Sequence, residues 1–149
     1  MNEISIARFV QLLKITFPLV FPATKENLLH YGHIRGWLED QDERFCNNVL
    51  TRQTAARILH LFMKVELSLP DLKDISAANI LADLYTCHTC VNHIAQIFLR
   101  GIIKAEILER DGKEYTIFNQ LAALSEEEAS IAIKQLEKIT KGKFPAIPQ

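Results

Sequence analysis

The sequence predicts a mainly helical fold: three imperfect helix–loop–helix units in one domain over residues 1–140, a short β-hairpin near residues 102–118, and an extended tail over residues 141–149. Three observations predict it. Three amphipathic stretches each open on an aliphatic residue followed by Ser or Thr, at Ile4-Ser5, Leu50-Thr51 and Leu124-Ser125. The order Gly, any residue, Ile, basic occurs at Gly32-His33-Ile34-Arg35 and again at Gly101-Ile102-Ile103-Lys104. Asp111-Gly112 separates two runs that suit strands, and Asp-Gly is a strong tight-turn signal.

The first helix starts near Ser5. Positions four, seven, eight and eleven beyond the hydroxyl residue are Phe9, Leu12, Leu13 and Thr16, the stripe of a helix with one buried face. A segment from Lys25 to Tyr31 continues as helix, and Gly32 suits the left-handed position that ends one. A loop with a buried Phe45 leads to the second helix, near Thr51, whose stripe is Ala55, Ile58, Leu59 and Phe62. An insertion follows, with Leu69-Pro70-Asp71-Leu72 and a helical stretch from Ala77 to about Tyr85. Val91 to Arg100 forms the next helix and ends at Gly101. Ile102 to Glu109 and Glu114 to Phe118 flank the hairpin turn, and Phe118 fills the loop position that Phe45 fills earlier. The third capped helix starts near Ser125, with Ala129, Ala132, Ile133 and Leu136 inward. Each hydroxyl satisfies an orphan N–H for about 1 kcal/mol, and Ser125 with Glu128 makes a capping box. Ile4, Leu50 and Leu124 are placed to staple onto the helices they precede. Gly142, Pro145 and Pro148 make the tail extended.

Composition narrows the function. The chain has 149 residues, 48% hydrophobic and 23% charged, which is globular rather than disordered. A formal net charge of -1 supplies no field toward nucleic acid or an anionic membrane. Apolar runs such as Phe17 to Ala23 and Ile94 to Leu99 are too short to span a bilayer, which needs roughly 20 residues. No secretory signal opens the sequence, and three cysteines suit a reducing compartment or one pair plus a free thiol. The expected location is therefore the cytoplasm, unless the chain is a piece of a longer protein.

The units resemble the S-layer homology family. The middle copy carries Gly32-His33-Ile34-Arg35-Gly36-Trp37 and then Phe45 through Leu50-Thr51-Arg52-Gln53-Thr54-Ala55. The last copy keeps Gly101-Ile102-Ile103, Asp111-Gly112, Phe118-Asn119 and Leu124-Ser125-Glu126-Glu127-Glu128-Ala129, and the first keeps Ile4-Ser5-Ile6-Ala7 and its helix. The resemblance implies three repeats in a pseudo-threefold arrangement, with grooves that hold an anionic, often pyruvylated polymer of the bacterial cell wall. It implies a non-catalytic binding module in which Thr51, Arg52 and nearby residues contact ligand. Arg35 and Trp37 of the turn are further candidates, Trp37 as an aromatic platform or else as a core plug. Arginine pairs bidentately with carboxylates. The first copy has Ile6 and the last Glu126 where the middle has Arg52, so one groove of three keeps the cation. The alternative for Arg52 is a solvated residue in a first helical turn.

The densest chemistry is Cys87-His88-Thr89-Cys90-Val91-Asn92-His93. Cys87, Cys90 and His93 share spacing that brings them to one face, a partial zinc set that His88, Cys46 or His60 would complete. Buried thiols, a disulfide or a redox pair are the alternatives. Residues 75–118 also admit a winged-helix DNA-binding reading, with Ile75 to Leu84 and Val91 to Ile103 as the helix pair and Arg110 and Lys113 on the wing. The helix from Val91 offers His93, Gln96 and Arg100 but little further basic surface, so nucleic acid is not the expected partner. A cell-wall polymer or another protein is. The five glycines are scattered with no phosphate loop, and no Gly-x-Ser-x-Gly elbow occurs, so no enzyme is expected.

Overall fold

The three hydroxyl caps form where the sequence places them. In a computed structural model that describes residues 2–22 and 27–141, Ser5 accepts from Arg8 N at 3.1 Å and opens helix α1 (Ile6–Thr16). Thr51 accepts from Thr54 N at 3.2 Å and opens α4 (Arg52–Val65). Ser125 accepts from Glu128 N at 3.1 Å and opens α6 (Glu126–Thr140), while Glu128 Oε1 accepts from Ser125 N at 3.2 Å and completes the capping box. Between them lie α2 (Leu28–Arg35), α3 (Asp40–Arg44), α5 (Val91–Leu99) and a two-stranded antiparallel sheet, β1 (Glu106–Arg110) with β2 (Lys113–Ile117). The fold is thus mainly helical, with the small hairpin in place. Asp111 (φ 53°) and Gly112 (φ 76°) supply the two left-handed residues of its turn.

The segments just before the three caps bind one another in a closed cycle. Ile4 N donates to Leu124 O (3.1 Å), Leu124 N to Leu50 O (2.9 Å), and Leu50 N to Ile4 O (2.8 Å). Two residues further on, Ile6 N donates to Asn48 O, Arg52 N to Ala122 O and Glu126 N to Asn2 O, at 3.3, 2.9 and 2.8 Å. Ile4, Leu50 and Leu124 are buried at the centre of that cycle. The inward stripes follow: Phe9 and Leu13 of α1, Ala55, Ile58, Leu59 and Phe62 of α4, and Ala129, Ala132, Ile133 and Leu136 of α6 are all buried. Helix α1 packs on α6 and α2, and α4 packs on α5, around one apolar cluster.

Several expectations are corrected. Helix α2 does not stop at Gly32 but runs through it to Arg35, and Gly36 (φ 94°) is the left-handed terminator. Gly32 is needed for a different reason: a Cβ there would lie 2.8 Å from Trp37 and Leu38, which fold back onto it. Gly101 (φ 70°) does lie where expected, just past α5. Phe45 is 52% exposed rather than buried, whereas Phe118 is fully buried. Phe45 falls at the end of α3, whose inward anchor is the Asp42 carboxylate, so the aromatic plug of that unit is Trp37. The stretch from Ala77 to Tyr85 is not an α-helix. It holds short 3₁₀ turns, Ser76–Ile80 and Leu84–Thr86, because Asp83 is drawn off to cap another loop: its carboxylate accepts from Phe118 N and Asn119 N, each at 2.8 Å. The expected helix from Lys25 to Tyr31 lies partly outside the described residues, as does the tail apart from Lys141. Among the described residues no helix is long and apolar enough to cross a membrane.

Candidate functional site

Arg52 occupies the first turn of α4, and its backbone N is already tied to Ala122 O in the cycle. That anchoring directs the side chain into the seam between α4, the turn after α5 and α6. Arg52 is only 1% exposed. Its Nε donates to Phe118 O at 2.7 Å, Nη2 to Lys104 O at 2.5 Å, and Nη1 to Glu128 Oε2 at 2.6 Å. Glu106 Oε2 stands 3.7 Å from Nη1, and the guanidinium carbon lies 5.3 Å from the Phe118 ring centroid. Burying a guanidinium is costly unless its donors are matched, and here each nitrogen has an acceptor. Arg52 is therefore a buried, fully paired residue and not a solvated one in a first helical turn.

Above it lies an open groove of about 240 Å³, walled by the turn 101–105 together with Arg52, Glu106, Glu128 and Ile131. Ile102 and Ile103 are buried in its wall, while Lys104 and Glu106 are exposed. The groove mixes apolar surface with two cations, Arg52 and Lys104, and two carboxylates, Glu106 and Glu128. Thr51 is spent on the cap, its hydroxyl also donating to Thr54 Oγ1 at 3.1 Å.

The other two candidates from the sequence sit elsewhere. Trp37 is fully buried, edge-on to Phe62 (5.2 Å between centroids) and Phe21 (5.9 Å), so it is a core plug and not a platform. Its Nε1 donates to Glu66 Oε2 at 2.9 Å. Arg35 clamps the same carboxylate, with Nε 3.0 Å and Nη2 3.1 Å from its two oxygens. The Glu66 side chain is 5% exposed, so both groups go to satisfying a buried anion at the end of α4. The structure thus brings Arg52 and Thr51 together and leaves Trp37 and Arg35 in a separate structural cluster.

The zinc set is also corrected. Cys87 and Cys90 are joined as a disulfide, so neither offers a thiolate to a metal alongside His93. Cys46 is the free thiol among the described residues. His93 turns instead to His60, with their Nδ1 atoms 2.7 Å apart, and His60 Nε2 lies 2.7 Å from Asp71 Oδ1. The two Nδ1 atoms share a single proton between them, and His60 donates from Nε2 to Asp71. Burial holds the His93 pKa down to about 4, helped by His60 and Arg57. Asp71 is held below the usual carboxylate range: burial pushes it up, but hydrogen bonds from His60 and Asn92 outweigh that. The chain ties α4 to α5 and to the segment around Asp71.

Sequence reasoning missed Glu128, Phe118 O and Lys104 O as partners of Arg52, and Asp71 as the partner of His60. Glu128 closes its capping box through Oε1 and carries the ion pair to Arg52 through Oε2. Comparison with protein-family models, curated proteins and solved structures returns no match for this chain.

Proposed function

We propose that the chain is a non-catalytic binding module built from three helix–loop–helix repeats in the manner of S-layer homology domains, with the groove over Arg52 as its ligand seat. The observation that carries this reading is the closed cycle of hydrogen bonds among Ile4, Leu50 and Leu124, each just ahead of a capped helix. Three equivalent positions exchanging equivalent bonds around a common centre is what a pseudo-threefold repeat requires. The resemblance names the ligand class: an anionic polymer of the bacterial cell wall.

The groove's charges set how such a polymer would bind. Arg52 and Lys104 are balanced by Glu106 and Glu128, so no net positive field draws an anion in. A ligand carboxylate reaches Arg52 only by taking the place of Glu128, whose side chain is 38% exposed while that of Arg52 is 2% exposed. Binding is therefore weak in the wild type and limited by the internal pair. A winged-helix reading is not favoured, since the segment 75–84 that would be its first helix is 3₁₀ turn.

Co-sedimentation with bacterial sacculi, with and without their secondary polymer stripped, tests the proposal. Polymer-dependent binding that rises several-fold in Glu128→Gln, which keeps the shape of the pair but removes the competing charge, is the expected result. Absence of polymer-dependent binding in both wild type and Glu128→Gln would sink the wall-polymer reading.

A further inference from the structure

We propose that His30, His33 and Glu43 form a binding site for a divalent transition-metal ion, with Zn²⁺ as the best-fitting case. His30 and His33 are three apart on α2 and so share a face of that helix. Both turn Nδ1 toward one carboxylate on α3: His30 Nδ1 lies 3.1 Å from Glu43 Oε2, and His33 Nδ1 lies 2.8 Å from Glu43 Oε1. Each residue has a ligand atom within 4.8 Å of the other two. Two donors on a tetrahedral ion at 2.0–2.1 Å stand roughly 3.3 Å apart, so the His–Glu separations are already near the required value. Bringing the two imidazoles together takes a modest rotation of His30, whose side chain is 59% exposed.

The frame around the three groups is rigid. Helix α2 is held by Trp37 and Leu38 folded over Gly32, as above. Helix α3 is nailed to α4 by the residue next to Glu43: Asp42, 3% exposed, takes both Arg57 terminal nitrogens at 2.8 and 2.9 Å. Its Oδ2 also accepts from Glu39 N at 2.7 Å, which caps α3. Ligands on two elements fixed by packing and by a bidentate ion pair are preorganised, the main requirement for a metal site.

The donor chemistry selects the ion. Two imidazoles and a carboxylate suit Zn²⁺, Co²⁺ or Ni²⁺ and not the oxygen-seeking Ca²⁺ or Mg²⁺. Three protein ligands leave a coordination position open to water or to a donor from a partner. The balance of protons is simple when both imidazoles are neutral. Each ring moves its proton from Nδ1 to Nε2 through solvent, the metal takes the freed Nδ1 lone pair, and no net proton is released. Simple His–Glu hydrogen bonding without an ion is the competing account, and it predicts no metal uptake.

The full chain, with its disulfide intact, is titrated with Zn²⁺ by calorimetry and with Co²⁺ followed by visible absorption. One equivalent bound, a rise in Tm with metal, and loss of both in His33→Ala and Glu43→Gln are expected. The affinity loss should be at least the roughly 10–100-fold that follows removal of even an outer-shell partner. In the wild type, paramagnetic Co²⁺ should shift the ring resonances of His30 and His33, a readout that stands even if a variant fails to fold. No uptake by the wild type, uptake indifferent to both substitutions, or Co²⁺ shifts confined to other histidines would overturn the proposal.

Discussion

Arg52 carries a charge into the interior and has every nitrogen matched there, two by backbone carbonyls and one by Glu128. The two carbonyls belong to Lys104, just before β1, and Phe118, just after β2, so one side chain clamps the open end of the hairpin. Removing it leaves two buried carbonyls short of a partner, a loss of about 1–3 kcal/mol for an unsatisfied buried group, while Glu128, 38% exposed, turns to water. Arg52→Ala should lower the denaturant midpoint accordingly. Arg52→Lys should recover only part, because an ammonium cannot span three acceptors in the fork geometry of a guanidinium. A change below about 1 kcal/mol in Arg52→Ala would mean that water replaces the guanidinium without penalty. Arg52 was legible in the sequence as a notable residue, but not its burial. The residue-by-residue pattern gives a first-turn position on a helix, and only the neighbouring strands of the cycle decide that it points inward.

Helices α1, α4 and α6 were the most legible elements because their signals are local. A hydroxyl cap followed by a period of 3.6 requires no knowledge of the rest of the chain. Ser5→Ala, Thr51→Ala and Ser125→Ala should each cost about 0.5–2 kcal/mol, since each hydroxyl satisfies a first-turn N–H. Chemical denaturation of the three variants measures this, and a cap whose loss costs nothing is one whose N–H finds water. The stretch from Ala77 to Tyr85 was misread for the converse reason. Its composition permits a helix, but Asp83 is called away to hold Phe118 N and Asn119 N, more than thirty residues along the chain. A backbone that must place Asp83 there settles into 3₁₀ turns. Gly32 is similar: its role as a seat for Trp37 and Leu38 depends on two side chains folding back, which no helix-end rule describes.

At the scale of the molecule, the chain from Asp71 through His60 to His93 links three segments and makes stability depend on pH. The folded His93 pKa, about 4, lies below its ordinary value of 6.5, so the unfolded state binds more protons between those values. Stability from this group is complete above pH 6.5 and is lost as pH falls toward 4, with a slope of at most about 1.4 kcal/mol per pH unit for one proton. Asp71, also held low, adds loss in the same direction at more acid pH. His93→Gln keeps a hydrogen-bonding side chain and should flatten the profile between pH 6.5 and 4. An unchanged slope in that variant would place the titrating group elsewhere.

The sequence by itself determined the mainly helical class, the starts of α1, α4 and α6, the hairpin with its Asp111-Gly112 turn and the helix ending before Gly101. These are set by caps, turn residues and side-chain period, which act over a few residues. The tertiary structure alone decided that Ile4, Leu50 and Leu124 exchange hydrogen bonds in a cycle, and that Arg52 and Trp37 are buried. It alone decided that Cys87 and Cys90 pair, leaving His93 to His60, and that His30 and His33 converge on Glu43. Those outcomes rest on contacts between residues far apart in the chain or on competition between partners. A local pattern can name the groups that compete, and the folded backbone chooses which of them meet.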